Sequence, residues 1–530
     1  MTDAVRDAGR PSVPEMYDVA IVGFGPSGAI AAGLLGAQGL RTFVCDKQAE
    51  VYDKPRAISL DHEISRLFQQ MGLSARIQPY TEPFTDSVFY GVQGQVIKRM
   101  STVAPPYPLG HNPSIVFSQP PVERILREHA QSYPNVTVAL RQTVTQLKQD
   151  DMGVTLTLQG EGGQTAQVQA RYVIACDGAT STVRALVGLE LEDLEFDEPW
   201  LVVDVLVNEH GLAKLPVTSA QYCQPERPTS FLICPGNHRR WEISINPGED
   251  PAQLATPDGT WQLLAPWITP ADGTLWRQAS YRFHALVTAR WRAGRVFVAG
   301  DAAHQQPPFL GQGMCQGARD VVNLCWKLGA VLRGQAGERL LDSYGAERKG
   351  HVAALTTRIK HIGLLIGERD TAKALARDAQ LLQDCGGVVQ PTPRQDVQPA
   401  LQAGLLSAQA HPARGTIFPQ PWLQGPGSEP QRMDDVLGCG WRLVLAPQAD
   451  STALDLSAIA LPALQCVQLG HGALIETEGV LARWFERHGV LAAIVRPDHY
   501  VYGVASTVLS LRSQFQELRQ ELGQQLSRQP

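Results

Sequence analysis

The sequence predicts an α/β protein in which an open parallel sheet is interwoven with a mostly β unit and followed by a smaller α/β unit. Three observations carry this. Short apolar runs end in glycine- or aspartate-bearing turns at three distant places: Gly23-Phe24-Gly25-Pro26-Ser27-Gly28, Asp177-Gly178 and Gly300-Asp301. Strand-like runs such as Leu201 to Val207 and Trp241 to Ile245 fill the stretch between the second and third. Strand and helix patterns alternate again near the end of the chain, as small α/β units do.

Tyr17 to Val22 is an apolar run suited to a buried parallel strand, and the first glycines follow it directly. Ala29 to Leu40 then reads as a helix, with Ala32, Gly33 and Gly36 small on the face expected to approach the sheet. Gly23 permits a tight turn, Gly25 lets the backbone approach a pyrophosphate, and Gly28 allows close helix–strand packing, with Pro26 and Ser27 between. The helix N-terminus adds amide donors and a positive dipole. A second strand, Arg41 to Cys45, ends in Asp46-Lys47, eighteen residues after Gly28. A carboxylate there accepts hydrogen bonds from an adenosine ribose. A glycine turn without a ligand is the alternative, but strand, glycines, helix and acid in one register point to a dinucleotide.

Val173 to Cys176 reads as a buried strand ending in Asp177-Gly178, with Arg184 seven residues beyond Asp177. Arg295 to Ala299 is another, ending in Gly300-Asp301. Both put an aspartate at the carboxyl end of a strand, where open α/β sheets bind ligands. Asp301 has the chemistry to accept a hydrogen bond from a ribityl hydroxyl. Pro307-Pro308 and Gly311-Gln312-Gly313-Met314 follow and lead into an apolar helix beginning near Ala318. Amides at that N-terminus suit negative charge on the pyrimidine side of a reduced isoalloxazine. Each Asp-Gly pair alone is an ordinary turn. In this order around the first motif, they point to FAD over NAD.

The chain has 530 residues, room for two or three domains, and its 44% hydrophobic and 18% charged content are those of a globular protein. A net charge of −6 gives no basic field for nucleic acid. Nine cysteines without a CxxC pair argue against a disulfide framework or zinc site, and no metal site is expected. Residues 1–15 are polar and lack an apolar core, so a disordered lead-in is expected and not a signal peptide. No run of about eighteen apolar residues suggests a membrane span. Cytoplasm is the expected address.

The expected division follows. A cofactor domain with a helical extension is built from 16–77, 115–189 and 286–385, and a substrate domain from 78–114 and 190–285. Residues 386–430, rich in Pro, Gly and Gln, form a linker. Residues 431–530 form the third unit, whose tail (Leu511, Phe515, Leu518, Leu522) follows helical spacing and reads as a packing or oligomer surface. A homodimer is left open.

Taken together, the three glycine segments resemble the single-component FAD-dependent aromatic hydroxylases. The resemblance extends to Lys54-Pro55-Arg56-Ala57, Phe117-Ser118-Gln119-Pro120, Arg240-Trp241-Glu242, Arg319-Asp320, Asn323-Leu324 with Trp326-Lys327-Leu328, and Glu347-Arg348. Within that family the chain is similar to the 3-(3-hydroxyphenyl)propionate hydroxylase subgroup. The resemblance implies a Rossmann-like FAD domain, an interwoven substrate domain as in the p-hydroxybenzoate hydroxylase fold, and a C-terminal thioredoxin-like domain. The redox cysteine pair of a working thioredoxin is missing, which implies a structural role. It further implies FAD contacts from Gly23, Gly25, Gly28, Asp46, Arg56, Gln119, Asp177, Gly178, Gly300 and Asp301, with Pro307, Pro308, Gly311, Gly313 and Met314 along the isoalloxazine. Cys315 stands where many relatives have Asn, and Asp46 where Glu is more common.

The implied reaction uses NADH or NADPH to reduce FAD, adds O2 at flavin C4a, and delivers one oxygen ortho to the hydroxyl of a small phenolic substrate in aromatic catabolism. The protein must orient the ring, exclude water and assist phenol deprotonation. Candidate groups for this are less sharply marked. His62 has a near-neutral reference pKa, while Asp61-His62 reads equally as a helix cap beside an ordinary histidine. Tyr222, His238, Arg239 and Tyr281 fall in the substrate domain, Arg239 as a carboxylate partner or an exposed strand-end residue. His304 adjoins the third motif. A tailoring oxygenase acting on a polyketide or other polycyclic aromatic is the rival reading within the fold. A plain NAD-dependent dehydrogenase leaves Asp177-Gly178 and Gly300-Asp301 without a task, and a non-catalytic flavoprotein would bind flavin without substrate-stimulated NAD(P)H oxidation.

Overall fold

Five parallel strands form the centre of the first, eight-stranded sheet, in the order Val136–Leu140, Thr42–Asp46, Tyr17–Val22, Thr165–Ala175 and Val296–Val298. They belong to a computed structural model that describes residues 16–449, 461, 464–469 and 474–523; the expected lead-in at 1–15 lies outside the described residues. Val19, Ala20, Ile21, Val173, Ile174 and Val298 are fully buried, as continuous apolar strands covered on both faces must be. The helix Pro26–Ala37 follows the first strand. Its small residues approach both a second helix and the sheet: a Cβ on Gly33 would meet the His129 ring at 3.1 Å, and one on Gly36 the Tyr133 ring at 2.8 Å and Val136, on the sheet's edge strand, at 2.9 Å. The expected close approach to the sheet is there at Gly36, and Gly33 adds one to the helix Gln119–Gln131.

A nine-stranded sheet forms the second unit, running His304–Gln305, Gly273–Thr288, Leu191–Val207, His238–Ser244, Thr229–Ile233, Ser219–Tyr222, Ser87–Tyr90, Val96–Ser101 and Pro391–Pro393. Alternation gives it two faces. Leu201, Val203, Phe231, Trp241 and Ile243 point outward and pack against Leu264 and Trp267. Val202, Asp204, Arg240 and Glu242 point inward, toward the parallel sheet. Arg240 and Arg277 both donate to the Pro55 carbonyl, at 3.0 and 2.6 Å, and so tie the two units together.

The segment 386–430 is not a free linker. Pro391–Pro393 pairs in parallel with Val96–Ser101, and Leu401, Leu405, Leu406 and Phe418 are buried. Its composition favours irregular backbone, but its apolar side chains still find a core.

The last unit has a four-stranded sheet in the order Gln465–Gln468, Arg442–Leu445, Ala492–Val495, Val501–Ala505. The first pair is parallel and the other two antiparallel. With the helices Val480–His488 and Val508–Glu521, this is the strand order of a thioredoxin-like core. Leu511, Phe515, Leu518 and Leu522 are buried against Trp441, Leu443 and Tyr502, so the tail packs on its own sheet.

Buried ion pairs join this unit to the rest. Arg66 meets Asp434 at 2.6 Å, and Asp434 also meets Arg442. Glu347 takes both Arg496, at 2.6 Å, and Lys327, at 2.8 Å. Such pairs contribute little net stability, because desolvation offsets the attraction, but each is costly to break.

Candidate active site

The first glycine turn is shaped by its neighbours and open on one side. Gly23 has φ +99°, and a Cβ there would lie 2.3 Å from the Cys176 carbonyl oxygen, so only glycine fits where the first two motifs touch. A Cβ on Gly28 would meet the Gly23 carbonyl at 1.9 Å. Gly25, by contrast, would meet nothing within 4 Å, and neither would Gly178 or Gly313. The protein's own packing does not demand glycine at Gly25 or Gly313, which leaves the backbone there open to close approach by a bound group. Pro26 opens the helix, and Gly25 at its N-cap offers no side-chain cap, so the first amides stay free for a ligand.

Asp46 Oδ2 accepts the Phe24 amide hydrogen at 2.6 Å and Oδ1 that of Gln48 at 2.7 Å. The carboxylate is held beside the glycine turn with lone pairs to spare for a ribose. Lys47 is exposed next to it. Ser27 packs where a Cβ on Gly300 or Gly317 would otherwise lie, at 2.8 and 2.4 Å from its Oγ, so the first motif also touches the third.

Asp177 accepts from Ser181 Oγ and, at 3.1 Å, from the Val183 amide. Arg184 donates to the carbonyls of Ala302 at 2.9 Å and Ala179 at 2.8 Å, linking second motif to third. Asp301 is exposed at the end of Val296–Val298, and its carboxylate has no partner among the described residues. Gly300 is held from beneath by Asp320, which also takes His304 and Arg348. Burial pushes the Asp320 pKa up, but His304 and Arg348 outweigh it and the net direction is down. His304 therefore braces the loop.

Pro307 is buried, and Pro308 and Met314 are half-buried. Gly311, at φ +62°, packs on Ser59: a Cβ would clash with its hydroxyl at 1.9 Å. The helix Gly313–Leu332 begins there with no side-chain cap, which leaves its first amides open to a ligand. Cys315 is fully buried, and burial pushes its thiol pKa up, so it stays a neutral thiol. Gln119 accepts the backbone hydrogens of Arg56 (3.2 Å) and Ala57 (2.6 Å), shaping the 54–57 loop, while the Arg56 guanidinium is exposed over the Tyr52 ring.

Of the residues expected to act on substrate, Tyr222 and Arg239 lie away from these loops, while Asp61 lies beside Gln312, both held by Arg319. Tyr222 lies on the outer face of the nine-stranded sheet, stacked on Tyr90 and tilted against Trp267, away from the flavin side. Arg239 lies on that outer face too and donates to the carbonyls of Cys234, Gly236 and His238, capping a hairpin. Asp61 caps the helix His62–Gln70 by accepting from the Glu63 and Ile64 amides, and it pairs with Arg319. His62 is buried and burial pushes its pKa down; its Nδ1 has no partner. The helix-cap reading of Asp61 is the one the geometry supports.

Sequence reasoning missed the inner face of that sheet. Asp204 there accepts from His238 at 2.8 Å and Arg240 at 2.7 Å, with Arg277 within 3.5 Å. The signal was present in Arg240-Trp241-Glu242: in a strand, charges at alternate positions around a tryptophan share one face.

Three strand-end turns meet, Gly23 against Cys176 and Ser27 against Gly300, with uncapped helix amides and the Asp46 and Asp301 carboxylates beside them, a donor and acceptor set that fits FAD and defines a flavoprotein. The chain belongs to the FAD binding domain family, which it matches over residues 16–359, and residues 415–521 match the HcaD C-terminal domain. It is 36% identical to the probable NADH-specific resorcinol 4-hydroxylase of Rhodococcus jostii (strain RHA1), over 96% of this chain and 95% of that protein. It is 33% identical to the 3-(3-hydroxy-phenyl)propionate/3-hydroxycinnamic acid hydroxylase of Burkholderia cenocepacia (strain HI2424), over 91% of this chain and 93% of the other. Among solved structures, the flavin-dependent monooxygenase PieE in complex with FAD and substrate superposes with a TM-score of 0.81 at 21% identity, covering 97% of this chain and all of that one. The chain is an FAD-dependent aromatic hydroxylase that draws its electrons from a nicotinamide cofactor. Among the described residues no helix is long and apolar enough to cross a membrane.

Proposed function

We propose that the chain hydroxylates a small phenol of the resorcinol type, ortho to a hydroxyl, with NADH as reductant. The observation that carries this reading is the identity to the resorcinol hydroxylase, which runs through nearly the full length of both chains. FAD, when bound, supplies the redox chemistry that activates O2. The chain's residues do the rest. The amides after Gly25 hold the pyrophosphate, Asp46 the ribose and Asp301 the ribityl chain, and the N-terminus of Gly313–Leu332 faces the pyrimidine edge. Trp200, Phe283 and Phe309 pack together, with ring centroids 5.3–6.1 Å apart, and keep water from one end of the cleft.

The experiment is NADH and NADPH oxidation by FAD-loaded protein across a panel of phenols, with peroxide and products quantified. Stimulation by resorcinol, NADH preferred, with a product gaining one oxygen, is the expected result. Bound flavin with no response to any small phenol would favour a larger polycyclic aromatic instead.

A further inference from the structure

Glu242 stands on the inner face of the nine-stranded sheet with no hydrogen bond or ion pair among the described residues, although it is only 3% exposed. Its polar neighbours are already engaged. Asp204 holds Arg240 and His238, and Ser230 donates to Gln221. Neither of its oxygens is sealed from solvent, so the carboxylate faces a small opening with its lone pairs free for an external donor.

The strand register shows where that partner would lie. Two residues before Glu242, Arg240 donates to the carbonyls of Arg56 at 2.7 Å and Pro55 at 3.0 Å, beneath the 54–57 loop. Two residues after it, Ser244 pairs with Trp200, whose ring meets Phe309 edge-on at 5.3 Å. Phe309 belongs to the loop between Pro307 and Gly311. Glu242 therefore lies between the two loops that flank the flavin-ring site, opposite Val202 and Ser230 on its neighbouring strands.

We propose that the Glu242 carboxylate accepts a hydrogen bond from a phenolic hydroxyl of the substrate and takes its proton as the ring is hydroxylated. This rests on the reading of the chain as a phenol hydroxylase. The substrate O–H bond breaks, a new O–H bond forms on Glu242, and the electron pair stays on the phenol oxygen, enriching the ring carbon ortho to it. When the ring regains aromaticity, the hydroxylated carbon loses its hydrogen as a proton to water, its C–H electron pair returns to the ring, and Glu242 gives its proton back to the phenol oxygen. Burial raises the Glu242 pKa to about 7, against the pull of Arg240 and Arg277 and with the push of Asp204; the Cys234 thiol also faces it. A pKa near neutrality suits a group that must both take and return a proton.

The test uses the FAD-loaded protein with resorcinol as probe, binding read from the flavin absorbance change and turnover from product formed per NADH. Glu242→Gln keeps the shape and removes the charge. It is expected to hold FAD normally, to bind resorcinol about tenfold or more weakly, and to lose the near-neutral limb of the kcat/KM pH profile. Glu242→Asp is expected to regain that limb at a reduced rate. Unchanged binding and an unchanged profile in flavin-loaded Glu242→Gln, with the unaltered protein still hydroxylating, overturn this proposal and leave the phenol-hydroxylase reading standing. If the variants take up no flavin, the unaltered holoenzyme decides. Resorcinol binding that tightens as pH rises through about 7 supports the proposal, and binding flat from about pH 6 to 8 overturns it. An unaltered protein that hydroxylates no phenol overturns both.

Discussion

The Gly300 amide donates to Asp320 Oδ2 at 2.9 Å, deep inside the molecule. That oxygen also takes His304 Nε2 at 2.8 Å, and Oδ1 takes Arg348 Nε at 2.8 Å. One buried carboxylate thus fixes both ends of the turn that presents Asp301. The position of the exposed Asp301 carboxylate is set from inside the molecule, on the opposite side of the turn.

Asp320→Ala should therefore act on both stability and cofactor. Arg348 would be left buried with only His351 and Gln316, its one carboxylate partner gone, a loss of about 3–5 kcal/mol. Urea unfolding of the apoprotein should show it, and the flavin-to-protein absorbance ratio after purification should fall.

Gly23→Ala and Gly25→Ala should separate folding from binding. At Gly23 a methyl collides with the Cys176 carbonyl, so the apoprotein itself is destabilised. At Gly25 the methyl meets open space, and the apoprotein loses at most about 1 kcal/mol from the altered N-cap. FAD titration followed by fluorescence quenching should nonetheless show weakened binding in Gly25→Ala.

Acid should loosen the contact between the C-terminal unit and the rest. Burial pushes the Glu347 carboxyl up, but Arg496 and Lys327 bring it down to about 2. Its folded value lies below the unfolded one of about 4.3, so the stability it contributes is present above that value and is lost as pH falls toward 2. Glu347→Gln should be less stable at pH 7 by about 3 kcal/mol. In unfolding titrations at stepped pH it should show a shallower loss than the unaltered protein across that window.

Tyr222→Phe should leave kcat and KM unchanged, because the ring lies on the face turned away from the flavin. Only the hydroxyl's contact is lost, lowering thermal stability by about 1 kcal/mol. A large fall in kcat would mean that the face assignment is wrong.

The contrast between Gly23 and Tyr222 shows what the sequence could tell. Turn glycines answer to backbone demands within a few residues, so the strand–glycine–helix unit and Asp46 were legible directly. The tail helix and the C-terminal strands were legible from periodicity. The face of Tyr222 was not: parity must be referred to a partner strand, and the long strands carry register shifts between Asp193 and Asp197 and between Asp204 and Val205. Asp320, Gly317 and Glu242 were hidden for a related reason. Each owes its place to contacts, or to a missing contact, set by segments far away in the chain. The 386–430 stretch misled because its composition reports irregular backbone, which a packed segment can also have.

The nine-stranded sheet takes its strands from four separate stretches of chain, and Ser87–Tyr90 lies beside Ser219–Tyr222 in parallel. During synthesis the early hairpin must leave the ribosome and wait, one edge unpaired, until its neighbour is made. The outer edge, Val96–Ser101, stays open until Pro391–Pro393 emerges. Unpaired edges of this kind recruit other chains. Yield in a heterologous host should thus depend on translation speed and chaperone supply more than on the stability of the finished enzyme.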